Sequence, residues 1–153
     1  MSNEILYILL PDFAEHEMVY LAEAIASDEF SLKENPKYIN KFVASTLDPI
    51  KSIGGFRIMP DYSFDTIPDD YAALVLIGGF GWVTPIADKV VPIVRQAVEN
   101  GKIVGAICNA ASSCPYPSRT LSVPFSQNPI RPQPGNDVPE NPEPKKQRYI
   151  NGC

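Results

Sequence analysis

Gly105-Ala106-Ile107-Cys108-Asn109-Ala110-Ala111 places a cysteine at the end of an apolar run, with an alanine two residues before it and another two residues after. A nucleophile elbow demands this pattern. In an elbow the nucleophile sits in a strained strand-to-helix turn, where bulky groups at the two flanking positions would clash. Free cysteine is otherwise among the most buried residue types, a small core thiol with no chemistry. The small flanks set Cys108 apart from that. A cysteine so placed points into the crevice beyond the strand ends, where the start of the following helix favours its thiolate.

The run at 103–107 that leads into the elbow has two counterparts, at 5–10 and 73–77. Short, continuous apolar runs ended by turn or small-residue signals predict strands buried on both faces. Met18, Leu21, Ala22 and Ile25 form an i, i+3, i+4, i+7 stripe with Tyr20 and Glu23 off it, which predicts a first helix. A second is bounded by Thr84-Pro85, as N-cap hydroxyl and first-turn proline, and by Asn100-Gly101. That helix joins 73–77 to 103–107, so residues 73–107 read as a βαβ unit and imply a parallel sheet. Residues 37–46 are a further strand, and 50–64, with Gly54-Gly55 and Pro60, a short irregular hairpin. The expected fold class is α/β, a flavodoxin-like parallel sheet sandwiched by helices.

Composition divides the chain near residue 111. Seven of the sixteen prolines lie in residues 1–111 and nine in residues 112–153. Residues 1–111 carry eight Lys/Arg against fifteen Asp/Glu, whereas 112–153 carry five against three. The expected organisation is an α/β domain over 1–111 and a disordered, proline-rich tail over 112–153, where too few apolar residues are present to offset ordering. An acidic domain without a Lys/Arg stripe repels phosphate backbones, which excludes nucleic acid as a partner. The run at 5–10 is too short for a signal sequence or a membrane span, so no membrane partner and a cytoplasmic location are expected. Three cysteines, at 108, 114 and 153, show no metal-type spacing and no disulfide framework.

Two further segments bear on chemistry. Gly78-Gly79-Phe80-Gly81 follows the strand at 73–77, and the backbone N–H groups of Gly79 and Asn109 are candidate oxyanion donors. Three glycines make no dinucleotide fingerprint, and no cofactor is expected. Asp12, Glu15 and Glu17 open the first helix, where acidic groups complement the macrodipole. His16 is the only histidine and has no His or Cys at ligand spacing, so no metal site is expected.

Together, Leu10-Pro11-Asp12-Phe13-Ala14-Glu15-His16-Glu17, Leu76-Ile77-Gly78-Gly79 and Ala106-Ile107-Cys108-Asn109-Ala110 resemble the ThiJ/PfpI proteins of the class I glutamine amidotransferase-like superfamily, over residues 4–111. The resemblance implies Cys108 as the reactive cysteine, Glu17 as the acid bonded to its sulfur, and Gly79 with Asn109 as the oxyanion donors. It implies a small-molecule substrate, carbonyl or amide, and is compatible with a homodimer. Such families include hydrolases or proteases, glyoxal-handling enzymes, isonitrile hydratases and redox-responsive stress proteins, so the reaction stays open between a hydrolase, hydratase or lyase, a redox sensor, and an inactive relative. Two departures stand out. Asn109 occupies the position where protease-like members carry a histidine, and after Ala111 the pattern gives way to Ser112-Ser113-Cys114-Pro115. The expectation is a domain incomplete on its C-terminal side, truncated or frame-shifted.

Overall fold

The computed structural model describes residues 2–27 and 38–113. The tail expected to be disordered lies, from residue 114 on, outside the described residues. In chain order the elements are β1 (Glu4–Ile8), α1 (Glu15–Ala26), β2 (Ile39–Ala44), β3 (Ile50–Lys51), β4 (Arg57–Ile58), β5 (Tyr62–Ser63), β6 (Ala73–Leu76), α2 (Val90–Glu99), β7 (Ile103–Ala106) and α3 (Asn109–Ser113). α3 thus runs two residues past the boundary placed at 111.

Five strands form one sheet in the order β5-β2-β1-β6-β7, with every pairing parallel. β3 and β4 pair separately as an antiparallel hairpin within the irregular segment. β1 is central. From it the chain goes first to β2 on one side and later to β6 on the other, so the strand order reverses at β1. Crevices for ligands open outside the carboxyl ends of strands at such a reversal.

Strand alternation divides the core between the two faces of the sheet. Leu6, Ile8 and Leu10 pack on one side with Val43, Leu74, Leu76 and the α2 residues Val90, Val94 and Ala97. Ile5, Tyr7 and Leu9 pack on the other with Phe13, Ala44, Val75, Ile77 and Met18 of α1, against which Leu21, Ala22 and Ile25 also lie. A helix therefore covers each face. Each fully buried aliphatic side chain of this kind contributes about 1.5–3 kcal/mol. The phenol of Tyr7, buried in this core, donates to Asn40 Oδ1 at 3.0 Å, and Asn40 Nδ2 donates to the Ala22 carbonyl at 2.8 Å. That chain ties α1 to the sheet.

The second helix differs from expectation at its start. Residues Pro85–Lys89 form a 3-10 segment, and the α-helix begins only at Val90. Pro92 explains this: it has no N–H to give residue 88, and its ring crowds that carbonyl, so an α-helix running from 85 through 92 would lack a bond. At the third position of a helix beginning at Val90 the missing N–H costs nothing. The Thr84 hydroxyl caps no helix but donates to the Gly81 carbonyl at 2.7 Å. The end is as expected, with Gly101 left-handed at φ 70°. β7 is a second difference, because it is not buried on both faces: Ile103 is 72% exposed.

Candidate functional site

Three loops leave the carboxyl ends of β1, β6 and β7, and the sequence-predicted residues sit on them or in the first turn of the helix that follows. After β7, Ile107 is still tied to β6 through its N–H to the Leu76 carbonyl at 3.0 Å. Cys108 then turns out of the strand with φ 54° and α3 starts at the next residue. A left-handed conformation costs a non-glycine residue about 1–2 kcal/mol, and it persists because both sides of the turn are fixed. Ala110 is fully buried beneath it in the α2-side core, where a larger side chain would not fit. Cys108 itself is exposed. A strained, exposed cysteine between a strand and a helix is elbow geometry.

The loop after β6 is held against the loop after β1. Phe13 and Gly79 form an antiparallel bridge, in which the Ala14 N–H donates to the Gly78 carbonyl at 2.8 Å and the Phe80 N–H to the Asp12 carbonyl at 3.0 Å. Gly79 has φ 142°, a backbone that side chains rarely permit. A Cβ there would strike the Asp12 carbonyl oxygen and lie 2.6 Å from Phe13 Cα. The buried Trp82 indole fastens the same loop from below, donating to the Ile77 carbonyl at 2.6 Å.

This stitching brings α1 to the elbow. Glu17, half-buried in the first turn, accepts the Gly78 N–H on Oε2 at 2.9 Å. A Cβ placed on Gly78 would lie 2.7 Å from Glu17 Oε2, 3.0 Å from Cys108 Cβ and 3.1 Å from Asn109 Oδ1. The carboxylate and the cysteine therefore flank a single point, no further apart than those first two distances end to end. The missing side chain of Gly78 leaves the space between them clear. The hydrogen bond of Glu17 goes to the Gly78 amide, whereas the family resemblance leads one to expect it at the sulfur. Of the other acidic residues, Glu15 turns toward Gly54 in the β3–β4 hairpin, and Asp12 is an exposed turn residue at φ 56°. Neither joins Glu17 at the elbow.

Asn109 is the residue whose side chain sequence reasoning missed. Its Oδ1 accepts the Gly79 N–H at 2.9 Å, and its Nδ2 donates to the Gly79 carbonyl at 2.8 Å. The Gly79 N–H, expected as an open oxyanion donor, thus already has an acceptor. A sequence signal existed: of the residues flanking the cysteine, only Asn109 has a side chain with both a donor and an acceptor. Cys114 and Cys153 lie outside the described residues. Among the described residues no three His, Cys, Asp or Glu side chains converge as a metal site would require, and no helix is long and apolar enough to cross a membrane. A cavity of ≈ 160 Å³ lies elsewhere, lined by Phe64, Ile67, Tyr71, Ile93 and Gln96 among others.

A parallel sheet with a cysteine elbow after β7 and a carboxylate delivered from the first helix defines a class of α/β proteins. The chain belongs to the DJ-1/PfpI family, whose model matches residues 3–114. It is 33% identical over 107 residues to a protein of Bacillus subtilis named uncharacterized protease YdeA, a match covering 69% of this chain and 49% of that protein. Among solved structures, the DJ-1 superfamily protein Atu0886 of Agrobacterium tumefaciens is similar at 31% identity and TM-score 0.63, over 74% of this chain and 56% of that one. A ThiJ/PfpI family protein of Bacillus anthracis is similar at 26% identity and TM-score 0.67, over 74% of this chain and 54% of that one. The chain spans about half the length of these relatives.

Proposed function

We propose that Cys108 is the nucleophile of a DJ-1/PfpI-type enzyme acting on a small carbonyl or amide compound. The observation that carries this reading is the exposed Cys108 at φ 54° beside the Glu17 carboxylate, with Gly78 leaving the space between them clear. The sole histidine of this sequence is His16, on the first turn of α1, and the ionisable group that the Gly78 position shares with Cys108 is the Glu17 carboxyl, which takes the proton-handling role in this reading. The thiol proton passes to Glu17 as Sγ bonds to the substrate carbonyl carbon and the C=O π pair moves onto oxygen. The Asn109 backbone N–H donates to the resulting oxyanion. Collapse of the adduct re-forms the carbonyl and expels the leaving group, which takes the proton back from Glu17; water then attacks the Cys108 thioester, its proton passing through Glu17 to Sγ as the C–S bond breaks and the acid is released. The protease name of the Bacillus subtilis relative fits a cleaved amide as the bond concerned.

Alkylation by iodoacetamide, followed by peptide mass mapping over a range of pH, tests this. Cys108 should react faster at pH 7 than Cys114 and Cys153, which serve as internal controls. Equal rates at all three, or protection of Cys108 in the folded protein, would remove the basis for the proposal. Glu17→Ala should slow labelling of Cys108 at pH 7 more than Glu17→Gln does, because glutamine retains a polar partner for the Gly78 N–H and an amide beside the sulfur. Identical curves for all three proteins would take Glu17 out of the chemistry.

A further inference from the structure

The hydrogen bonds around Gly79 give it an unusual place in the fold. Its bridge to Phe13 is made by the residues on either side, through Ala14 N–H to the Gly78 carbonyl at 2.8 Å and Phe80 N–H to the Asp12 carbonyl at 3.0 Å. In antiparallel pairing of that kind the two bridged residues keep their own N–H and C=O on the outer side. Gly79 is therefore a strand edge one residue long. With φ 142° and ψ 175° its donor and acceptor point the same way, toward the residue that follows Cys108. The carboxamide of Asn109 fills both, at 2.9 and 2.8 Å.

Asn109 is not what holds this edge in place. The two bridge bonds and the Glu17 bond to the Gly78 N–H at 2.9 Å fix the turn independently. Taking the carboxamide away leaves the rigid Gly79 N–H unpaired next to the nucleophile, and leaves its carbonyl with one lone pair open beside the long bond it accepts from the Trp82 N–H at 3.4 Å. An unpaired donor beside an acceptor with a free lone pair gains most from a ligand that satisfies both. A primary carboxamide presents its C=O and one N–H on the same side, whereas a trans secondary amide points them in opposite directions. We infer that the Asn109 side chain is a displaceable occupant of the Gly79 edge, and that the site favours compounds bearing a primary carboxamide, which replace it. Asn109 is then a specificity-determining residue through its side chain. The catalytic consequence rests on Cys108 being the nucleophile; the edge and its occupant do not.

Two reagents separate these points. Iodoacetamide carries a primary carboxamide and methyl methanethiosulfonate carries none, so the ratio of their rates at Cys108 cancels changes in the thiol itself. Asn109→Ala should raise that ratio by about fivefold, the factor expected from one hydrogen bond of ordinary net strength. Asn109→Asp keeps an acceptor for the Gly79 N–H and loses the donor to its carbonyl, so the ratio should rise less. Hydrogen exchange at the Gly79 amide should speed up by at least about tenfold in the alanine variant and stay near wild type in the aspartate variant. An unchanged or lower ratio in Asn109→Ala, or unchanged Gly79 exchange, overturns the inference. Should the alanine variant not fold, a ratio in Asn109→Asp no higher than wild type does the same. If wild-type Cys108 is inert to both reagents, the nucleophile reading fails, while Gly79 exchange still decides who occupies the edge.

Discussion

β1 and β7 look alike as sequence and behave as opposites in the fold. Both are short apolar runs in one parallel sheet, yet Leu6, Tyr7, Ile8 and Leu9 have no exposed surface whereas Ile103 is 72% exposed. The difference comes from neighbours. β1 pairs with β2 and β6 and has a helix over each face, while β7 pairs with β6 and, among the described residues, packs Val104 and Ala106 on the α2 side. An apolar run says that a strand can be buried. How far it is buried depends on what the rest of the chain brings to each face. The strand that carries the elbow is thus the less covered of the two.

The largest test of this contrast is Leu6→Ala. With full burial on the α2 side it should cost about 2–5 kcal/mol in urea denaturation, and a cost below 1 kcal/mol would mean that β1 is less closely packed than described.

Tyr7 sharpens the comparison from the other face. Burial raises its pKa from 10.0 to about 12. Because the folded form holds the proton more tightly than the unfolded chain, the contribution is complete below pH 10 and is lost as pH rises toward 12. The loss is about 1.4 kcal/mol per pH unit, or about 2–3 kcal/mol over that window. Tyr7→Phe should be less stable than wild type at pH 8 by about 1 kcal/mol, through the lost bond to Asn40. It should fall less steeply between pH 10 and 12, and parallel curves would show that the phenol is not buried as described. The smallest effect belongs to Ile103→Thr, which should change stability by no more than about 0.5 kcal/mol. A cost above 1 kcal/mol would show that something covers Ile103 in solution and that the contrast with β1 is weaker than drawn.

Much of this arrangement was legible in the residues. The three apolar runs, the stripe Met18-Leu21-Ala22-Ile25, the Asn100-Gly101 helix stop and the small flanks of Cys108 all encode local geometry, and local geometry follows from adjacent side chains. What escaped depends on partners far away in sequence. The Asn109 carboxamide reaches a residue 30 positions back, the Phe13–Gly79 bridge spans a whole helix and several strands, and the exposure of Ile103 reflects the sheet order. The start of α2 was legible in principle, because Pro92 forbids an α-helix through it from 85, but Thr84-Pro85 supplied a stronger local start signal. Glu17 became a site candidate only by family resemblance. In isolation, an acidic residue in a first helical turn is indistinguishable from one that complements the helix dipole.

Gly79 has a consequence at the level of the gene. Its backbone lies at φ 142°, and any Cβ would meet main-chain atoms of Asp12 and Phe13, which cannot move aside as a flexible side chain would. All four glycine codons share their first two bases, and every change at either base replaces glycine with a residue bearing a Cβ or with a stop. Only third-base changes are silent. At this codon, drift is confined to one nucleotide in three, and the constraint is imposed by backbone sterics before any question of catalysis arises.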